Sequence, residues 1–139
     1  MNPDEKKSVK SILKNANLRC TAARLAILDV LSHSDTALTQ KQITDSLKDR
    51  YDKVTIYRTL DAFLRADIVH KAFYQEREWH FELADRCGRQ QCHPHFACRL
   101  CGKNFCFDGI SYPIIQMPAN FESLQQKVLI EGVCPDCKN

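Results

Sequence analysis

The chain has 139 residues, 44% of them hydrophobic and 27% charged, with only four Gly and five Pro, a composition that excludes a disordered or fibrous polypeptide. The opening Met1-Asn-Pro-Asp-Glu-Lys-Lys7 lacks an apolar leader core, and no apolar run approaches the ~20 residues that cross a bilayer, so a cytoplasmic protein without membrane contact is expected. The net charge of +3 is uneven: residues 1–75 hold 13 Lys/Arg against 9 Asp/Glu, and residues 76–139 hold 7 against 8, which favours a polyanion-binding front half.

The front half reads as four helices and a hairpin. Val9, Ile12, Leu13 and Ala16 recur at helical spacing and end near Asn17. Thr21 is the expected N-cap of a second helix carrying Leu25, Leu28 and Leu31, which dissolves at Ser32-His33-Ser34-Asp35. Thr39 and Gln42 form a capping-box pattern ahead of Ile43 and Leu47. Asp52 caps a fourth helix with Ile56, Leu60, Phe63 and Leu64 inward and Thr55, Arg58 and Ala62 outward. An outward face that is small and polar around one arginine suits a helix lying in a major groove, where the guanidinium fork meets guanine O6 and N7. The hairpin Ile68–Phe73 and Glu78–Leu83 then follows as a wing. Within its second strand Trp79, Phe81 and Leu83 share one face, leaving His80 and Glu82 on the other.

The back half is organised by cysteine. Seven of the eight cysteines fall in the last 53 positions, and a reducing cytoplasm makes metal the stronger reading than disulfides. Cys98-Arg-Leu-Cys101 and Cys134-Pro-Asp-Cys137 are two C-x2-C knuckles, the spacing that lets two tight turns present four sulfurs to one tetrahedral zinc. A site closed by four thiolates has no position for water, so its role is structural. Upstream, Cys92-His93-Pro94-His95, with Cys87 and the strand bearing His80 and Glu82, offers a mixed N, O and S donor set, suited to an exchangeable ion. Cys106, between Phe105 and Phe107, reads as a small core residue, as does Cys20. Phe121 to Val133 reads as a strand leading into the last knuckle.

Together these residues resemble the ferric uptake regulator family over nearly the whole chain. Leu13-Lys14, Leu18-Arg19, Thr21 and Arg24 are similar to the family's entry helix, and Val54-Thr-Ile-Tyr-Arg-Thr-Leu60 to its recognition helix. His93-x-His95-x-x-Cys98-x-x-Cys101-Gly102 and Gly132-Val-Cys134-Pro-Asp-Cys137 match its metal motifs. The resemblance implies an α+β fold: an N-terminal winged helix-turn-helix (residues 1–84), then a small α+β dimerisation domain with a four-cysteine zinc site (residues 85–139). It implies a metal-responsive repressor, not an enzyme, that binds double-stranded DNA at a palindromic operator as a homodimer and takes no small-molecule substrate. Tyr57 and Arg58, with Thr55 beside them, would read bases, and Lys14 and Arg19 would contact backbone or minor groove.

By the same resemblance a second divalent ion is held by Glu82, His93, His95 and His70, with Cys92, Cys87 and His80 as further candidates for a ligand set left open. Ala37 stands where the family often has a histidine, and no histidine follows His95, which weakens a peroxide-sensing assignment. His70 resembles a ligand of zinc uptake regulators, and the sulfur of Cys87 or Cys92 is soft for iron. Zinc is the expected effector, with Fe2+ or Mn2+, and an iron- or peroxide-responsive member, as alternatives. A zinc hydrolase of deaminase type is the rival from another class, since His80-Phe-Glu82 ahead of a knuckle echoes H-x-E…P-C-x-x-C. Ala97 occupies the place of the required proline. A zinc-ribbon scaffold without DNA binding predicts no role for Arg58 beyond stability.

Overall fold

The computed structural model describes residues 3–84, 92–107 and 109–138. Helix α1 (Pro3–Asn15) ends as Asn17 turns left-handed at φ 57°, which lets Leu18 N–H reach the Leu13 carbonyl at 2.9 Å. Helices α2 (Ala22–Ser32), α3 (Gln40–Leu47) and α4 (Lys53–Arg65) begin at the expected caps. Thr21 Oγ1 accepts from Arg24 N at 3.3 Å, and Asp52 Oδ1 from Thr55 N at 2.8 Å. Thr39 and Gln42 close the reciprocal box at 3.1 and 2.8 Å. Each cap contributes about 1 kcal/mol.

The inward stripes of the helices meet in one core. Leu13, Ile27, Leu28, Ile43, Ile56 and Phe63 are all fully buried in it, and Leu64 packs against its edge. The wing supplies its floor: β2 (Val69–Gln75) pairs antiparallel with β3 (Glu78–Leu83), and Val69, Phe81 and Leu83 face the helices. The turn between them is tighter than the sequence suggests, with Glu76 and Arg77 alone at φ 51° and 67°, the geometry of a two-residue hairpin turn. A short strand, β1 (Leu38–Thr39), pairs with the far side of β3 and was not expected, because two residues carry no readable period. The alternation across β3 is more deeply covered than anticipated: His80, Phe81, Glu82 and Leu83 are all buried, since the second half of the chain covers the face carrying His80 and Glu82.

That second half holds a separate sheet in the order β5-β4-β6, built from β4 (His95–Cys98), β5 (Asn104–Cys106) antiparallel to it and β6 (Leu129–Gly132) parallel to it. A short α5 (Pro135–Lys138) carries the last knuckle. A Cβ at Gly132 would come within 3.0 Å of the Phe96 ring across the β4–β6 pair, so a larger residue there would have to push that ring aside. The strand expected over Phe121–Val133 is regular only at Leu129–Gly132. Phe121 and Leu124 lie 71% and 80% exposed, so among the described residues the first part of that segment has no face to bury, whereas Leu129 packs against Ala37, Ala72 and Phe73.

Candidate metal centres and DNA-facing helix

The four knuckle cysteines converge as expected: the sulfurs of Cys98, Cys101, Cys134 and Cys137 all lie within 4.8 Å of one another. Local turns do this. Gly102 adopts φ 74° and returns its N–H to the Cys98 carbonyl at 2.9 Å, while Cys137 N–H returns to Cys134 at 3.1 Å. The parallel β4–β6 register sets Cys98 opposite Gly132, bringing the two turns together. Four sulfurs ~2.3 Å from one zinc are about 3.8 Å apart; Cys101 Sγ and Cys134 Sγ are separated by 3.7 Å. The cavity therefore fits zinc. Its electrostatics call for a cation as well. Backbone N–H groups of Cys101 and Cys134 bring the Cys98 thiol down to about 6, whereas Cys137, hydrogen-bonded to the Cys134 sulfur and partly desolvated beside Cys101 and Cys98, is pushed up to about 12. Four thiols this close cannot all ionise unless a positive ion sits among them.

The mixed cluster forms around one carboxylate. Glu82 projects from β3 with no exposed side-chain surface, and its two oxygens meet different partners. Oε2 lies 3.2 Å from His95 Nε2, 3.4 Å from His93 Nε2 and 3.8 Å from Cys106 Sγ. Oε1 lies 2.7 Å from His70 Nε2, its cross-strand neighbour on β2, and 3.3 Å from Cys92 Sγ. Burial pushes the Glu82 carboxyl up, but hydrogen bonds from His70 and His95 and the charge of His95 and His93 outweigh it and hold the group at about 2. The donor atoms of Glu82, His93, His95 and Cys106 lie within 4.8 Å of one another, as do those of His70, Glu82 and Cys92. In a tetrahedral zinc site O–N and O–S edges are about 3.3 and 3.5 Å, so the Oε2 group has the spacing of donors around an ion.

Cys106 is thus a correction to the sequence reading. It is not core filler: β5 pairs with β4 so that Cys106 stands opposite His95, with its sulfur toward Glu82. The alternation of cysteine with Phe105 and Phe107 was the available signal, because it sends Cys106 to the face opposite those rings. Cys20 is a second correction, since it is exposed beside the Thr21 cap rather than buried. His80 does not join either donor group among the described residues; it stacks on Phe73 at 4.4 Å. Cys87 lies outside the described residues.

In the winged unit, α4 leaves Tyr57 60% exposed and Arg58 exposed one position on. Thr55 is half-buried, its N–H held by the Asp52 cap. Lys14 is exposed in the last turn of α1, and Arg19 is exposed after it, its carbonyl accepting from the Arg24 guanidinium at 2.8 Å. Among the described residues no helix is long and apolar enough to cross a membrane.

Comparison with known proteins agrees with this layout. Residues 15–127 match the ferric uptake regulator family. The chain is 29% identical to a ferric uptake regulation protein of Campylobacter jejuni over 94% of this chain and 86% of that one. It is 28% identical to a peroxide-responsive repressor PerR of Staphylococcus aureus over 91% and 87% of the respective lengths. The Vibrio cholerae ferric uptake regulator shares its fold with a TM-score of 0.65 at 24% identity, over 89% of this chain and 98% of that one. With a winged unit presenting an arginine-bearing helix and a zinc-fitting cysteine cluster behind it, the chain belongs to the ferric uptake regulator family, as a metal-responsive DNA-binding transcriptional regulator and not an enzyme.

Proposed function

We propose that this protein is a zinc-responsive repressor of the cytoplasm, acting as a homodimer on a palindromic operator. The observation that carries the reading is the donor set around Glu82 Oε2, which takes one ligand from the wing strand β3 and three from the second unit, His93, His95 and Cys106. An ion held there would tie residues 1–84, the DNA-binding domain, to residues 85–139, the dimerisation domain, and favour the relative placement of the two in which DNA binds. The Cys106 thiolate makes the set softer than an all-nitrogen-and-oxygen site and favours zinc over Fe2+ or Mn2+. The four-cysteine zinc is permanent and structural.

The chain's own residues supply the rest. Arg58 and Tyr57 enter the major groove from α4, Thr55 lines the same face, and Lys14 and Arg19 neutralise phosphates. Exposed Ile114, Ile115, Phe121 and Leu124 in the segment before β6 give the second unit apolar surface to bury against a second copy. A two-fold dimer would set its recognition helices on half-sites ~34–36 Å apart or a multiple of that.

The test is binding to an inverted-repeat operator by fluorescence anisotropy with zinc, Fe2+, Mn2+ or chelator, at two salt concentrations. Zinc-stimulated, salt-sensitive binding is expected, lost in His93→Ala without loss of the four-cysteine zinc. Arg58→Ala should cost about 1–3 kcal/mol of specific binding with metal content intact. Binding that ignores metal overturns the sensor role, and stronger stimulation by Fe2+ or Mn2+ than by zinc overturns the choice of effector.

A further inference from the structure

We infer that Glu82 serves two cation subsites, the second formed by His70 Nε2, Glu82 Oε1 and Cys92 Sγ and taking a borderline-soft divalent ion such as zinc. The inference rests on the preceding assignment of Glu82, His93, His95 and Cys106 as a metal site. What carries it is the partition of donors between the two oxygens of one buried carboxylate: His93, His95 and Cys106 gather on Oε2, and His70 and Cys92 on Oε1. On the Oε1 side the three donor atoms lie within 4.8 Å of one another, with Cys92 Sγ 3.9 Å from His70 Nε2.

The surroundings suit an ion. Cys92 is buried, and His70 keeps 14% of its side chain exposed, which gives a path for exchange. A carboxylate spanning two ions holds them ~3.5–4 Å apart. The repulsion between two divalent ions at that distance is offset by Glu82 and by the thiolates of Cys106 and Cys92. Seating the second ion opens the 2.7 Å His70–Glu82 contact to the ~3.3 Å edge of a coordinated N–O pair, a movement within the reach of a side-chain rotation. Among the described residues three protein donors face this ion and four face the first, and filling the second subsite after the first adds a second step to the response as metal rises.

The Cys92 sulfur is disulfide-bonded in the structure, so the subsite belongs to the reduced chain. A phosphine supplies the electrons: R3P, RS–SR′ and water give R3P=O and two thiols. The Cys92 thiol then releases its proton to buffer as the metal–sulfur bond forms.

The full chain, phosphine-reduced or left oxidised, is loaded with zinc chloride, freed of excess by gel filtration and assayed for zinc per chain. The reduced wild type should carry one zinc more than the oxidised wild type and than reduced Cys92→Ser, and cobalt in place of zinc should give extra thiolate-to-cobalt absorption at that last equivalent only in the reduced wild type. The cobalt comparison between reduced and oxidised wild type needs no variant and decides the matter even where Cys92→Ser folds poorly. Equal stoichiometry in reduced and oxidised protein, at one ion beyond the four-cysteine zinc, removes the second subsite and leaves the sensor site standing. A chain that holds only the four-cysteine zinc removes both, and a last ion that survives in Cys92→Ser assigns it elsewhere and overturns the inference.

Discussion

Cys98→Ser should unfold the second unit while leaving the winged helix intact. Among the described residues 92–138 the buried apolar positions are Cys92, Pro94, Ala97, Cys98 and Cys134, three of them cysteines, and the main hydrophobic core ends at Leu83. Zinc in a four-thiolate site contributes ~10–16 kcal/mol, comparable with or above the ~5–15 kcal/mol net stability of a whole domain. One buried alanine, one buried proline and half-covered rings such as Phe96 do not replace it. Serine at position 98 removes the thiol that the Cys101 and Cys134 N–H groups hold down at about 6 and leaves the other three sulfurs around a hydroxyl. The winged unit has fifteen buried core residues of its own and needs no metal. Hydrogen exchange read by mass spectrometry checks this: peptides over β4 and β6 should lose protection in Cys98→Ser or after chelation, and those over α2 and α4 should keep it. Retained protection over β4 and β6 in a zinc-free variant would refute the reasoning and shift the weight onto apolar or intersubunit packing.

Three further outcomes are expected. Phe63→Ala, which empties a fully buried position at the centre of the helical core, should cost about 3–5 kcal/mol in urea unfolding without changing metal content. Cys106→Asp replaces a soft donor with a hard one and should shift metal preference from zinc toward Mn2+ or Fe2+, measured as a change in the ratio of their Kd values. Burial lowers the folded-state pKa of His80 below its ordinary 6.5. The unfolded chain then takes up the His80 proton first, and this contribution to stability is complete above pH 6.5 and declines as pH falls from there toward the folded value. His80→Phe, able to keep the stack on Phe73, should lose that part of the pH dependence in urea melts followed at pH 7.5 and 5.5.

Much of the winged unit is legible in the chain order because its signals are local. Thr21, Thr39 and Asp52 cap helices with donors three residues away, and Ile56, Leu60 and Phe63 declare one face by spacing alone. The pair of C-x2-C turns is equally local, each knuckle setting its two sulfurs within a single turn. The strand expected over Phe121–Val133 went further than the structure because apolar content was read without knowing what would cover it. Cys20 was misread for the matching reason: its residue type suggests burial, but its place beside an exposed cap leaves it in solvent.

The opening imbalance of charge and cysteine therefore divides into two kinds of information. The sequence by itself determined the helices, their caps, the outward face of α4 with Arg58 and the four-cysteine cluster, since each depends on residues a turn or a strand apart. Tertiary structure alone decided how the mixed donors are shared out. Cys106 reaches Glu82 only because β5 pairs with β4 in one register, and His70 reaches Glu82 because the wing pairs them across strands. A register error of one residue would turn either side chain to the opposite face. The assembly of donors on the two oxygens of a single carboxylate is thus a property of strand pairing between distant segments, which no local pattern encodes.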